Sequence, residues 1–356
     1  MQPLFTRCGV KNFAIIAKLF TLFFACSLLS VSTQAQNYTP NTFADPVITS
    51  VNNSTGELNG GSMISLRSAL MAADNLGGSH TVTLSTGTYL LDGSGSYNIG
   101  SLGGTISSRT IYFGNSSQDI TINGNGSSNT VVSMAAAGSD RIFAINYDGV
   151  VPDVNTTINA VNFQDGNLTT DFFGGAAIYA GPYGGNLQTL SLNNCAFNNN
   201  VCPGAGGAGG LGGAIYMFQG TFNADGCSFT NNQSVDGDGG AIIYLLYNLG
   251  DNGVFNVTNS TFSGNHAGAN GGAISFLAQG GFQPGQTFDV SIKKNTFLNN
   301  SADGFGGGVS ANNSAAVSIP AINFNRFVGN TSASSSTSGL FFANSAGSVN
   351  AENNWW

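Results

Sequence analysis

Thr261-Phe262-Ser263-Gly264-Asn265-His266-Ala267-Gly268-Ala269-Asn270-Gly271-Gly272-Ala273-Ile274-Ser275-Phe276 holds two short signatures, Phe-x-x-Asn and Gly-Gly-Ala-Ile, and both recur. The first occurs as Phe197/Asn200, Phe229/Asn232, Phe262/Asn265, Phe297/Asn300 and Phe327/Asn330, with steps of 32, 33, 35 and 30 residues. A looser copy sits at Phe163, followed by Gly166-Asn167. The second reads Gly174-Gly175-Ala176, Gly212-Gly213-Ala214-Ile215, Gly239-Gly240-Ala241-Ile242, Gly271-Gly272-Ala273-Ile274 and Gly306-Gly307-Gly308-Val309. The two alternate, so one unit is about thirty-three residues with three short strands. Phe255-Asn256-Val257-Thr258, Thr261-Phe262-Ser263 and Ala273-Ile274-Ser275-Phe276 illustrate it.

Strands this short, flanked by Gly, Asn and Ser, bury no apolar face alone. Stacking equivalent strands at about 4.8 Å completes their ladders and encloses a core. Side chains alternate along a strand, so each repeat Phe shares the interior with the residue two before it. That second column reads Cys195, Cys227, Ser260, Asn295 and Asn325. The corner Asn residues are placed to hydrogen-bond up and down the stack, and the Gly pairs suit a sharp corner. The expectation is an all-β fold, a right-handed parallel β-helix of nine or ten coils, roughly 45 Å long.

The earlier half fits less regularly. Val82–Leu84, Thr110–Phe113, Ile120–Gly124, Val131–Ser133 and Arg141–Ile145 read as short strands between turn clusters. Ser65 to Asn75 reads as one capping helix, with Ser65 at the N-cap and Leu66, Ala69, Leu70 and Ala73 on one stripe. The chain closes on Asn353-Asn354-Trp355-Trp356, its two tryptophans. Either further coils follow or the stacked rings close that end. The first alternative is the expectation taken here.

Arg7, Lys11 and Lys18 precede an apolar stretch from Leu19 to Val31, and Thr33-Gln34-Ala35 resembles a peptidase site. Residues 1–35 are therefore expected to be a signal peptide, 36–80 an N-terminal strand and helix segment, and 81–356 the β-helix, truncated at its C-terminal end. The apolar stretch is short for a membrane span and no later one exists, so export to the outside or the cell surface is expected, with no transmembrane segment. Loss of the leader removes three of nine basic residues and none of seventeen acidic ones, leaving a formal net charge of −11. That balance argues against nucleic acid as a partner. Charged residues make up 7% of the chain, so Asn, Ser, Thr and Gly must face water instead. Cys195, Cys202 and Cys227 remain, an odd number whose spacing fits no zinc site and reads as buried structural thiols.

Alternating Gly-Gly-Ala-Ile and Phe-x-x-Asn resembles the repeat of the polymorphic outer-membrane protein family. Ser65-Leu66-Arg67-Ser68-Ala69-Leu70 with Ala72-Ala73-Asp74-Asn75 resembles the CSLREA box of secreted bacterial β-helix proteins. Ile120-Thr121-Ile122-Asn123-Gly124-Asn125-Gly126 is similar to a strand–turn element of pectin-lyase-like folds, and the closing Asn-Asn-Trp-Trp to an element that many of these proteins carry. The resemblance implies an outer-membrane-associated or secreted β-helix module. Ile64 stands for the leading Cys of the box and Ser68 for its Glu, which predicts loss of the return bond of a capping box.

Enzymes of the pectin-lyase-like class set the test for chemistry. Their hydrolases imply Asn-Thr-Asp, Asp-Asp, Gly-His-Gly and Arg-x-Lys strings, and none is present. Lyases imply acidic calcium ligands beside a basic proton acceptor. Here Arg67, Arg109, Arg141, Lys293-Lys294 and Arg326 are scattered. Asp171, Asp236 and Asp303 each precede a Gly pair by three residues, in coils that are not adjacent. Asp238 and Asn270 align in neighbouring coils and are the one candidate calcium site. His266 reads as a loop residue with no aligned carboxylate, and Gly204–Gly213 lacks the Lys-Ser/Thr of a phosphate loop. No catalytic residue and no cofactor are expected beyond that possible calcium. The function expected is a non-catalytic, adhesin-like module touching extracellular glycans or surface proteins; the alternative is a polysaccharide lyase or glycoside hydrolase.

Overall fold

The computed structural model describes residues 34–92, 97–99, 104–106, 109–114, 116–135, 140–147, 154–168, 174–181, 188–203, 210–246, 252–278, 288–313, 321–334, 338–344 and 349–356. The chain divides into Met1–Gln34 and Ala35–Trp356. All but the last two residues of the expected leader lie outside the described residues, as do Asp171 and Gly204 to Gly209.

Ala35–Trp356 is a parallel β-solenoid. Its longest sheet has nine strands, from Gln36–Tyr38 and Gly78–Thr83 through Gln188–Asn193, Gly220–Asp225, Gly253–Thr258 and Phe288–Lys293 to Ala321–Asn323. A second sheet of eight carries the repeat Phe, as in Ala196–Asn198, Ser228–Thr230 and Thr261–Ser263. Another eight-stranded sheet carries the residues after the Gly pairs, as in Ile215–Phe218, Ile242–Leu246 and Ile274–Ala278. All pairings in these sheets are parallel and in register, with Phe197 opposite Phe229 and Phe229 opposite Phe262.

Three expectations about the repeat need correction. A unit holds four strands, not three, because the residues after each ladder Asn form a further sheet of two-residue strands. These are Val201–Cys202, Gln233–Ser234, His266–Ala267, Ser301–Ala302 and Thr331–Ser332. Complete coils therefore number five among the described residues, not nine or ten. Upstream of Gln188 no fourth strand appears among the described residues, and one excursion, Tyr97–Ile99 with Gly104–Ile106, is an antiparallel hairpin that adds no coil. The first Gly repeat is also offset by one: Gly175 N and Ala176 N donate to Gly212 O and Gly213 O, so Gly175 is the corner residue.

The core is built of columns. Phe163, Phe197, Phe229, Phe262, Phe297 and Phe327 stack with ring centroids 5.3, 4.8, 4.6, 5.0 and 4.7 Å apart. Each ring is at most 3% exposed. Burying one such ring contributes about 1.5–3 kcal/mol, and offset stacking adds about 0.5–1.5 kcal/mol. Trp356 continues the column, 4.8 Å from Phe327. Asn200, Asn232, Asn265, Asn300 and Asn330 form a parallel ladder beside it. In each of the first four, backbone N–H and Nδ2 both donate to Oδ1 of the next Asn at 2.9–3.1 Å. Nδ2 also donates to the carbonyl of the Phe one coil back. Every polar atom of these buried amides is thereby matched, which is what makes a polar column tolerable inside a core. A second ladder runs from Ser260 through Asn295 and Asn325 to Asn354.

At the corner, the second Gly of three pairs, Gly213, Gly240 and Gly272, faces its counterpart one coil on. A Cβ on Gly240 would run into Gly272 O, and one on Gly272 into Gly307 O. No other residue type allows that approach.

The expected helix is present as α1, Leu66–Leu76, with Ser65 at its N-cap. It packs on the strands Gly78–Thr83 and Ile111–Phe113. The capping box survives, against expectation, because a hydroxyl replaces the carboxylate: Ser65 N donates to Ser68 Oγ at 2.9 Å, and Ser68 N to Ser65 Oγ at 3.1 Å. Arg67 is buried under the helix and forms a bidentate ion pair with Asp45, at 2.7 and 2.6 Å. No helix among the described residues is long and apolar enough to cross a membrane.

Candidate functional site

Outward positions of the nine-stranded sheet alternate with core residues, so they repeat at rung spacing. Amides and hydroxyls dominate them. Asn193 donates to Asn159 and Asn159 to Asn123, both at 2.8 Å. Asn256 donates to Asn223 at 3.0 Å, and Asn223 to Ser191 at 3.3 Å. The face is polar, and Asp119, Asp225, Asp289 and Lys293 are the charged side chains among its outward positions. Its Asp225 accepts from Thr258 Oγ1 and Asn259 Nδ2 at 2.7 and 2.6 Å, and those bonds, Thr258 first, hold the carboxyl below its ordinary range.

A groove of about 370 Å³ opens where the two-residue strands begin, at the bridge between Asn167 and Val201. Met134, Ala135 and Val201 supply apolar lining, and Asp165, Asn167 and Asn199 the polar groups. Asp165 and Asn199 sit at corner positions with φ of 61° and 53°, the left-handed region that Asp and Asn tolerate best. Ser133 Oγ donates to Asp165 Oδ2 at 3.2 Å, which fixes the carboxylate at the groove. The looser repeat copy at Gly166-Asn167 marks one edge of the groove in the sequence, but nothing there marks Met134, Asp165 or Asn199 as lining it.

Asp238 and Asn270 do meet. Asn270 N and Nδ2 donate to Asp238 Oδ1 at 2.7 and 2.9 Å, and Asn270 Oδ1 accepts from Phe305 N. This is a ladder like the Asn column, and a cation at that oxygen would displace both donors. Among the described residues, no three His, Cys, Asp or Glu side chains group as a metal site. Burial raises the Asp238 carboxyl above its ordinary value of 3.8, with the Asn270 bonds opposing. The folded state therefore holds this proton more tightly than the unfolded chain. Stability falls as pH rises through the interval between the two values and stays lowered above it. Asp238→Asn keeps the accepting oxygen and removes the charge. It is expected to raise the melting temperature at pH 7 and leave it unchanged near pH 3, as followed by circular dichroism.

His266 is not without a carboxylate. Its Nδ1 lies 2.9 Å from Ser301 Oγ, and its Nε2 lies 3.9 Å from Asp303 Oδ2. The strand register explains the difference. His266 pairs with Ser301, and Asp303 follows two residues later. Counting back from the Gly pairs set Asp303 level with Asp236, but the bonds of Gly268 N to Ser234 O and Asp303 N to Ala267 O set it level with Gly268 and Val235. The turn after Ser234 holds one residue more. Ser, His and Asp side by side suggest a nucleophile, yet the backbone N–H groups of His266 and Ser301 are spent on Asn232 O and Asn265 O. They offer no donors to a developing oxyanion.

The remaining basic candidates are structural or apart. Arg67 and Arg141 are buried; Arg141 donates to Gly174 O and Gly175 O and lies 4.9 Å over the Tyr179 ring. The three cysteines are buried and unbridged. Comparison with protein-family models, with curated proteins and with solved structures finds no match in any of the three.

Proposed function

We propose that the chain is a non-catalytic, adhesin-like module of the cell exterior that binds neutral glycans through its stacked polar face and the Asp165 groove. The observation that carries this reading is the register of uncharged amides and hydroxyls along the nine-stranded sheet. Saccharide hydroxyls both donate and accept, as amide and hydroxyl side chains do. Rungs about 4.8 Å apart present such groups at close to the length of one pyranose unit. The groove adds one carboxylate and two amides over an apolar floor, the mixture that fixes a small polar ligand. A formal charge of −8 for the whole chain repels anionic polymers, so neutral polysaccharides are the substrate-free ligands of choice. The resemblance of the repeats to polymorphic outer-membrane proteins, and the leader-like residues 1–35, support placement outside the cell.

Affinity electrophoresis through gels containing a neutral glucan or galactan, beside a uronic-acid polymer, tests the reading. Retardation is expected in the neutral gels. Asp165→Ala is expected to weaken it about tenfold, the scale of one lost hydrogen bond to a charged group. Release of unsaturated or reducing-end products would instead establish the alternative, a carbohydrate-cleaving enzyme. Equal migration in all gels would remove the glycan reading.

A further inference from the structure

Cys195 and Cys227 hold the same place in consecutive coils, each immediately before a strand of the Phe sheet. Ala196–Asn198 pairs in register with Ser228–Thr230, and Ser228 N donates to Cys195 O at 2.9 Å. The two α-carbons are thus one rung apart, about 4.8 Å, within the 4.4–6.8 Å that disulfides span. The side chains are 1% and 2% exposed. Both thiols lie in the apolar core and donate to carbonyls: Ile158 O and Asn193 O at 3.3 and 3.5 Å from Cys195 Sγ, Leu192 O and Asp225 O at 3.5 and 3.4 Å from Cys227 Sγ. We propose that Cys195 and Cys227 form a redox modification site, which hydrogen peroxide converts into a disulfide joining two coils.

The chemistry divides between the thiols. The neighbouring Cys227 thiol holds Cys195 below the ordinary thiol range, while the Cys195 thiol, with burial, pushes Cys227 up. Cys195 is therefore the first nucleophile. Its thiolate attacks one peroxide oxygen, the O–O bond breaks, and the departing hydroxide takes a proton to leave as water. Cys195 is then a sulfenic acid. Cys227 sulfur attacks Cys195 Sγ, the S–O bond breaks, and the second hydroxide leaves as water with the Cys227 proton. Two thiols and one peroxide give one disulfide and two waters. The sulfur pair loses two electrons and the peroxide gains them. Burial selects a small oxidant. Cys202, buried in a separate cluster with Leu168 and Ala176, has no cysteine in register and serves as an internal control.

The test uses the purified full chain, treated with hydrogen peroxide while folded. The thiol count should fall by two and the mass by about 2 Da, with one linked peptide pair holding Cys195 and Cys227. Ser260 occupies the next place in this column, and Cys227 N donates to its hydroxyl at 3.0 Å, so serine fits here. Cys227→Ser should stop at a sulfenic acid on Cys195 that a cyclic 1,3-diketone traps, and Cys195→Ser should leave Cys227 unlabelled. Sulfinic or sulfonic acid on either residue of the folded wild-type chain overturns the proposal. So does a linkage through Cys202, or a folded chain that resists peroxide while the urea-unfolded chain forms the bridge.

Discussion

Asn265→Ala is expected to lower unfolding stability by about 2–4 kcal/mol, although it deletes only one small polar side chain. Asn265 is fully buried at the middle of the ladder. Its Oδ1 accepts from Asn232 N and Asn232 Nδ2, at 3.0 and 2.9 Å. Its Nδ2 donates to Phe229 O and Asn300 Oδ1, at 3.0 and 2.9 Å. Alanine orphans the Asn232 N–H and leaves a void that reaches no solvent, and each unsatisfied buried group costs about 1–3 kcal/mol. Asn265→Asp separates the polar from the steric part. The carboxylate can still accept from Asn232 but cannot donate to Phe229 O or Asn300 Oδ1, and it carries a buried charge. Its loss at pH 7 should match or exceed that of alanine and should shrink in acid, where a protonated oxygen regains one donor. Asn256→Ala, on the outward face, should change stability by less than about 0.5 kcal/mol. Urea midpoints for the three variants decide the matter. Equal losses at Asn265 and Asn256 would mean that the ladder adds nothing beyond packing.

The same ladder explains why so much of the fold was legible. A residue that must meet its own copy one coil away recurs at one spacing, as Phe229 and Asn232 recur at Phe262 and Asn265. Side-chain alternation then assigned Cys195, Cys227, Ser260, Asn295 and Asn325 to the interior, and all five are buried. The fourth strand was not legible because His266–Ala267 and its counterparts are two residues long, too short to show alternation. Coil number was overestimated for a related reason: the short strands read upstream of Gln188 belong to turns in which no two-residue fourth strand appears among the described residues, and Tyr97–Ile99 pairs back on Gly104–Ile106. Approach of Asp303 to His266 was hidden by the extra residue between Ser234 and Gly239, which only strand register exposes. Ser68 shows a chemical oversight, since a hydroxyl accepts the N-cap bond as well as a carboxylate does. The groove left a trace only at Gly166-Asn167, because Met134, Asp165 and Asn199 belong to no repeat position that the signatures mark.

Arg67→Ala is expected to cost about 3–5 kcal/mol, and to cost it at one end of the molecule only. The guanidinium is 0% exposed and the Asp45 side chain 2%. Besides Asp45, Arg67 donates to Thr110 O and Arg109 O, both at 2.7 Å, tying α1 and the segment before it to the first turn. Truncation leaves a buried carboxylate without its cation and two carbonyls short of a donor, the circumstance in which breaking an ion pair is most costly. Arg67→Lys should recover little, because one ammonium cannot serve both carboxylate oxygens and two carbonyls in the fork geometry. In a solenoid each coil touches only its neighbours, so the damage should stay near α1. The chain supplies its own reporter for this. Its two tryptophans, Trp355 and Trp356, lie at the far end, with Trp356 stacked on Phe327. Arg67→Ala should therefore become susceptible to proteolysis around 45–76 at urea concentrations where the tryptophan emission has not moved. A simultaneous shift of both signals would show that the coils unfold as one cooperative unit, and that Arg67 stabilises the whole stack rather than its cap.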